Sequence, residues 1–358
     1  MTPTQLSQFL AQAISARLPV LITGAPGIGK SDIVAQACEA SGSDLILSHP
    51  AVADPTDAKG LPWVAKDGDS ATFLPFGELA AAVRATRPTV WFLDDLGQAP
   101  PAVQASYMQL LLARRVNGHA LPDCVTFVAA TNRRTDRAGV SGILEPVKSR
   151  FAAIVELEAN LEDWCTWMMT VFLSQLVASG VAEETAQRVV VQLVSFIRFQ
   201  PGLLCDFRPS ADLTNSPLPR TWSHAAKLLA LALPPQLQQL AVAGAVGEGA
   251  AVQLMAFLRL YEELPTIEGI LQDPDASPIP TKPATLYAVV TALGIRCTPK
   301  NFPKVARYAQ RLTDAAHGEF AALLLRDAVR RDASIMQTSA FVKLAAGQFG
   351  DLLVGGAV

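Results

Sequence analysis

The residues most able to do chemistry lie in one short run. Gly24-Ala25-Pro26-Gly27-Ile28-Gly29-Lys30-Ser31 fits the pattern G-x-x-x-x-G-K-[ST] at every fixed position. That pattern has a mechanism only between a strand and a helix. Both are expected here, an apolar strand over 19–23 and a helix running from Asp32 through Cys38. The glycines let the backbone curl so that several N–H groups point at one phosphate chain, and the positive end of the helix dipole adds to their pull. Lys30 would reach the β and γ phosphates, and Ser31 would offer its hydroxyl to Mg²⁺. The implied ligand is a nucleoside triphosphate, with Gly24 through Asp32 as its candidate loop.

A second run, Val90-Trp91-Phe92-Leu93-Asp94-Asp95, is an apolar strand ending in two carboxylates. Asp94 suits the Mg²⁺ shell opposite Ser31, and Asp95 suits a base that orients or deprotonates an attacking water. A third apolar run ends in Thr131-Asn132-Arg133, placing an amide where it can bond a γ-phosphate or the water. Arg150, in Glu145-Pro146-Val147-Lys148-Ser149-Arg150-Phe151, suits a finger that neutralises charge on a neighbouring subunit's γ-phosphate. Arg220 stands at the first turn of an expected helix. Arg133, Arg134 and Arg137 form the dense arginine cluster of the first half, a local basic group in an acidic chain.

The elements that must position these groups follow from periodicity. An amphipathic helix is expected over 4–17, with Leu6, Phe9, Leu10, Ala13 and Ile14 on one side. Strands are expected at 19–23, 44–48, 89–93, 124–130 and 152–157, and helices over 77–85 and 101–114. The continuous apolar run 89–93 is the pattern of a strand buried on both faces of a parallel sheet. Between Trp63 and Phe73 the sequence predicts a hairpin turning at Asp67-Gly68. Beyond residue 160 helical periodicity takes over, at 161–179, 182–200, 220–233 and 236–260, then in several segments between 285 and 350. A Pro/Asp/Ser-rich stretch at 273–283 marks the expected boundary inside this helical half. The fold class expected is α/β, a parallel sheet between helices, followed by an all-helical lid and a helical C-terminal module.

Composition narrows the function classes. At 358 residues the chain is long enough for two or three domains, and at 50% hydrophobic and 17% charged it should fold into well-buried layers. A net charge of −3 and a pI near 5.9 argue against a general electrostatic grip on nucleic acid. Five scattered cysteines suit reduced core thiols in the cytoplasm, and four dispersed histidines make a metal site other than nucleotide-bound Mg²⁺ unexpected. No signal peptide is apparent at the N-terminus. The most apolar stretch, 225–246, is interrupted by Pro234-Pro235 and reads as two packed helices, not a membrane span.

The order GAPGIGKS, VWFLDDLGQA, VAATNR, EPVKSRF and LPRTW resembles the AAA+ ATPases and, within them, the MoxR-like group, over roughly residues 1–235. The stretch Asp54 to Pro62 is similar to the segment preceding the helix-2 hairpin insert of that group. The resemblance implies a nucleotide-binding core at 1–158 with the insert near 60–75 and a lid at 159–272; the helical segments beyond the 273–283 boundary make up a C-terminal module at 273–358. It makes Asp94 and Asp95 the Walker B pair, Asn132 sensor 1, Arg150 the arginine finger acting in trans, and Arg220 sensor 2, and it gives Arg133, Arg134 and Arg137 either a further contact in trans or a solvated or interface-lining place. It implies ATP and Mg²⁺ as ligands and a homo-oligomeric ring, a hexamer by resemblance, that remodels a protein partner, with a von Willebrand factor A domain as one expected partner type. The family usually has Glu where this chain has Asp95. A carboxylate one methylene shorter can sit about an ångström from its best place, an error of roughly 10²-fold in rate. A slow, nucleotide-gated scaffold is therefore a second reading. A nucleic-acid motor and a small-molecule kinase are weaker ones.

Overall fold

The computed structural model describes residues 1–136, 142–210, 212–261 and 266–346. The chain forms two compact units: Met1–Asn160 with a short segment beginning at Phe207, and Leu161–Asp206 with the chain from Asp212 on.

The first unit is built on strands β1 (Val20–Thr23), β2 (Asp44–Ser48), β3 (Leu61–Val64), β4 (Ala71–Leu74), β5 (Thr89–Leu93), β6 (Arg115–Val116), β7 (His119–Ala120), β8 (Val125–Thr131) and β9 (Ala153–Glu156). Five of them make one parallel sheet in the order β2-β5-β8-β1-β9. β5 and β8 are buried along their whole length, as their predominantly apolar sequences require of strands covered on both faces. Trp91 anchors this core. Its ring stacks on Phe127 at 5.4 Å and meets Tyr107 edge-on at 6.1 Å, while its indole N–H donates to Ser48 Oγ at 2.8 Å on the neighbouring strand. A buried indole needs such a partner. The α/β sheet followed by helices is the architecture expected.

Two local expectations need correction, and one element adds to those expected. The helix expected over 101–114 is two short helices, Pro101–Ser106 and Met108–Ala113, interrupted at Tyr107. The ribbon β6–β7 that follows was not foreseen, although Asn117-Gly118, with φ of 45° and 86°, is a strong short-range hairpin signal. The segment expected as one helix over 236–260 is Pro235–Val246 and Glu248–Tyr261, split at Gly247, whose φ of 83° leaves the helical region. The hairpin β3–β4 forms as expected, pairing Trp63 with Thr72. The unforeseen ribbon holds it: His119 Nε2 lies 2.6 Å from Phe73 O, and Asn117 Nδ2 donates to Lys59 O at 2.9 Å.

The second unit is helical among the described residues. Its first helical stretch carries a π-helical segment, Met168–Phe172, between Leu161–Trp167 and Leu173–Ala178. Helices Glu183–Phe199, Pro283–Arg296 and Gly318–Arg331 enclose a buried ion pair between Arg198 and Asp327. Leu286, Val289, Leu293, Phe302, Tyr308 and Leu324 belong to one buried apolar cluster of this unit. No helix of the described residues is long and apolar enough to cross a membrane.

Candidate nucleotide site

The site assembles at the C-terminal ends of three adjacent parallel strands, where open α/β sheets place their ligands. β1 ends at Thr23, the loop Gly24–Gly29 follows, and helix Lys30–Ala40 begins. Gly29 caps that helix at φ 95°, in the left-handed region that costs a side-chain-bearing residue most. Gly24 is required by proximity instead. A Cβ there would lie 2.6 Å from Ile28 Cδ1 and 2.7 Å from Leu157 O. Within the loop, Ala25 and Ile28 are buried. Asp32, in the first turn, complements the helix dipole.

Lys30 lies folded under the loop, only 7% exposed. Its ammonium donates to Gly24 O at 3.0 Å, Ala25 O at 2.9 Å and Asn132 Oδ1 at 2.7 Å. Ser31 Oγ donates to Asp94 Oδ2 at 2.6 Å. Asp94 is itself buried and accepts from the Asp95 N–H at 3.0 Å through Oδ1. Asp95 takes a left-handed backbone, φ 56° and ψ 33°, a region aspartate visits several-fold more readily than most residues. Its Oδ1 accepts from Gln98 Nε2 at 2.8 Å and from Asn132 Nδ2 at 3.4 Å. Lys30, Asn132, Asp95 and Gln98 thus form one hydrogen-bonded chain, with Ser31 and Asp94 beside it.

The structure therefore brings together Lys30, Ser31, Asp94, Asp95 and Asn132, drawn from three loops far apart in sequence. Gln98 was missed. The available signal was its place three residues after Asp95, one tight turn on. Arg150 is turned back onto its own chain: Nε donates to Met108 O at 3.1 Å and the terminal nitrogen bonds Pro146 O. Arg133 clamps Asp136 at 3.1 Å and Glu156 at 3.3 Å, and Asp136 holds its guanidinium above the ordinary value. Arg134 is exposed, and Arg137 lies outside the described residues. Arg220 stands, exposed, in the first turn of helix Pro219–Ala230 of the second unit.

Among the described residues no three His, Cys, Asp or Glu side chains group to hold a metal. Mg²⁺ does not need such a cage, since it commonly binds through one or two carboxylates plus substrate phosphates. The hydroxyl of Ser31 and the carboxylate of Asp94, already converged, are hard oxygen ligands that fit that mode.

No curated protein matches the chain. Among solved structures it is similar to the RuvB Holliday junction branch migration motor of Thermotoga maritima, at 16% identity over 82% of this chain and 80% of that one, with a TM-score of 0.38. It is also similar to NtrX from Brucella abortus in complex with ATP, at 16% identity over 89% of this chain and 67% of that one, with a TM-score of 0.44. Residues 19–151, which contain the loop, both aspartates, Asn132 and Arg150, match the AAA domain of the dynein-related subfamily, so the chain carries an AAA domain on a P-loop AAA+ fold.

Proposed function

We propose that this protein binds ATP with Mg²⁺ and hydrolyses it, as a MoxR-like member of the AAA+ ATPases. The convergence of Lys30, Ser31, Asp94, Asp95 and Asn132 at one sheet edge is the observation that carries the reading. In this reading the loop amides and Lys30 hold the phosphates, and Ser31 and Asp94 hold Mg²⁺, which would neutralise charge on the phosphate oxygens. Asp95 orients the attacking water and accepts its proton, while Asn132 links Lys30 to that carboxylate. A γ-phosphate drawing on Lys30 would compete with Asn132 Oδ1, and so alter the amide that also bonds Asp95.

The wider reading is a homo-oligomeric ring, hexameric by resemblance, working in the cytoplasm on a protein partner, a von Willebrand factor A domain being one candidate. Arg150 then acts in trans, releasing its bonds to Met108 O and Pro146 O, and Arg220 serves the lid at 159–272, with 273–358 as a further module. The hairpin β3–β4 is its outward tool. Leu61, Trp63, Val64 and Leu74 all lie exposed on it, with Trp63 63% accessible. A slow, nucleotide-gated scaffold is the second reading, favoured by the short carboxylate of Asp95.

Mg²⁺-ATPase rate against protein concentration, for the wild type and Arg150→Ala, tests both. A rate per subunit that rises with concentration and falls at least tenfold in the variant supports the shared-site ring. A negligible rate at every concentration, with ATP bound, favours the scaffold. Turnover that is independent of concentration and indifferent to Arg150 refutes the trans finger.

A further inference from the structure

We infer that Gln98 is a positioning residue for the proposed hydrolysis, setting the orientation of the Asp95 carboxylate; the inference rests on the reading of Asp95 as the base. Asp95 begins a single 3₁₀ turn, Leu96–Gln98, and the turn closes with the Gln98 N–H on Asp95 O at 3.0 Å. In 3₁₀ geometry side chains three apart eclipse. Gln98 is thereby brought directly back over Asp95, and its Nε2 donates to Asp95 Oδ1 at 2.8 Å. The assignment of nitrogen to that contact is forced by chemistry, because an ionised carboxylate only accepts.

The rest of the side chain shows what the contact is for. Gln98 Oε1 is buried and has no hydrogen-bond partner among the described residues. An unpaired buried carbonyl is a cost that a leucine or methionine filling the same space would avoid. The charge-assisted bond from Nε2 is the offsetting gain, so the Gln98 amide is committed to Asp95.

The consequence falls on a carboxylate with little reach. Asn132 Nδ2 bonds the same oxygen at 3.4 Å, from the end of the neighbouring strand. Two amides from two strand ends therefore hold Oδ1 and leave Oδ2 as the oxygen available to a substrate water. Glutamate could find the water by adjusting three torsions. Aspartate has only two, and depends on being held.

The test uses the full chain, with Gln98→Met, which keeps length and apolar packing, and Gln98→Glu, which keeps shape but sets a like charge against Asp95. Steady-state ATPase gives kcat, and fluorescent mant-ATP with Mg²⁺ gives binding. A positioning role lowers kcat roughly tenfold or more in both variants while mant-ATP affinity stays within about twofold, the split expected when only a transition-state interaction is lost. Wild-type kcat in either variant overturns the inference and leaves the ATPase reading standing. Loss of mant-ATP binding in parallel with kcat overturns it in favour of a structural role. No turnover in the wild type overturns the inference together with the reading beneath it.

Discussion

Removing Arg198 from the second unit should destabilise it by about 3–5 kcal/mol, the range for a buried ion pair broken on one side. The guanidinium and its partner Asp327 are 2% and 1% exposed. Arg198 donates to both Asp327 oxygens, at 2.6 and 2.9 Å, and to Thr291 Oγ1 at 3.1 Å, with Glu162 at 3.5 Å. Burial works against its charge, yet Asp327 beside it holds the guanidinium above its ordinary value, so it stays charged at any accessible pH. Three charge-assisted bonds at roughly 1.5–3 kcal/mol each suggest a larger gain, but dehydrating each ion costs several kcal/mol. The intact pair is therefore worth little against an apolar replacement. What Arg198→Met forfeits is the compensation for a dehydrated Asp327. For a unit of this size, 3–5 kcal/mol lowers Tm by roughly 6–20 °C. Scanning calorimetry of Arg198→Met, Asp327→Leu and the double variant checks it. Each single change should lower the helical unit's transition by that amount, and the double variant should recover most of the loss. A single variant within about 1 kcal/mol of wild type, or a double variant as poor as the sum, would refute the reasoning. The same experiment bears on the organisation proposed for the helical half. Arg198 lies before residue 273, whereas Thr291 and Asp327 lie after it. A pair shared across that point couples the two sides, so one transition should shift, not one of two.

Two further outcomes follow from the nucleotide domain and the buried thiols. Gly24→Ala should weaken mant-ATP binding at least tenfold with the fold retained, because its Cβ meets Leu157 O, a backbone atom that cannot swing aside as Ile28 Cδ1 can; unchanged affinity would show that the loop yields. Burial raises the Cys38 thiol to about 11 and the Cys165 and Cys297 thiols to about 12. The folded state therefore keeps protons that the unfolded chain releases from about pH 8.5. Their contribution to stability is whole below that value and is lost as pH rises through 11–12. Urea midpoints should fall between pH 8 and 10.5, and a flat profile would contradict the assignment.

What was legible in the sequence was whatever is encoded locally. The loop residues specify their own turn, and β5 and β8 are predominantly apolar runs whose polar ends name Asp94, Asp95 and Asn132. Features written in pairs of distant residues were not legible. Nothing near Arg198 announces Asp327, 129 residues on. The clamp of Arg133 on Glu156 and the bonds that tie back Arg150 depend on how the loops fold over the sheet edge. The break at Tyr107 has no glycine or proline to signal it; the residue is fixed by its packing on Trp91. The ribbon β6–β7 is a different kind of miss, since Asn117-Gly118 was in view and its flanking strands are two residues each, too short for an alternating pattern to register.

Asp95 shows why residue type alone misjudges a site. Set against the usual glutamate, it is a carboxylate pulled back by one methylene. That comparison holds only if the backbone stays where a glutamate would leave it. Here the backbone is left-handed, a conformation in which aspartate's short polar side chain is at less disadvantage than a longer one. The turn it starts returns Gln98 onto its own carboxylate, and Asn132 closes from the next strand. Side-chain length, backbone conformation and the two amides are thus one arrangement. Lengthening Asp95 to glutamate would leave the φ of 56° to a residue less suited to it and carry the carboxylate past both donors. The missing methylene is therefore not a defect that a single substitution can be assumed to repair.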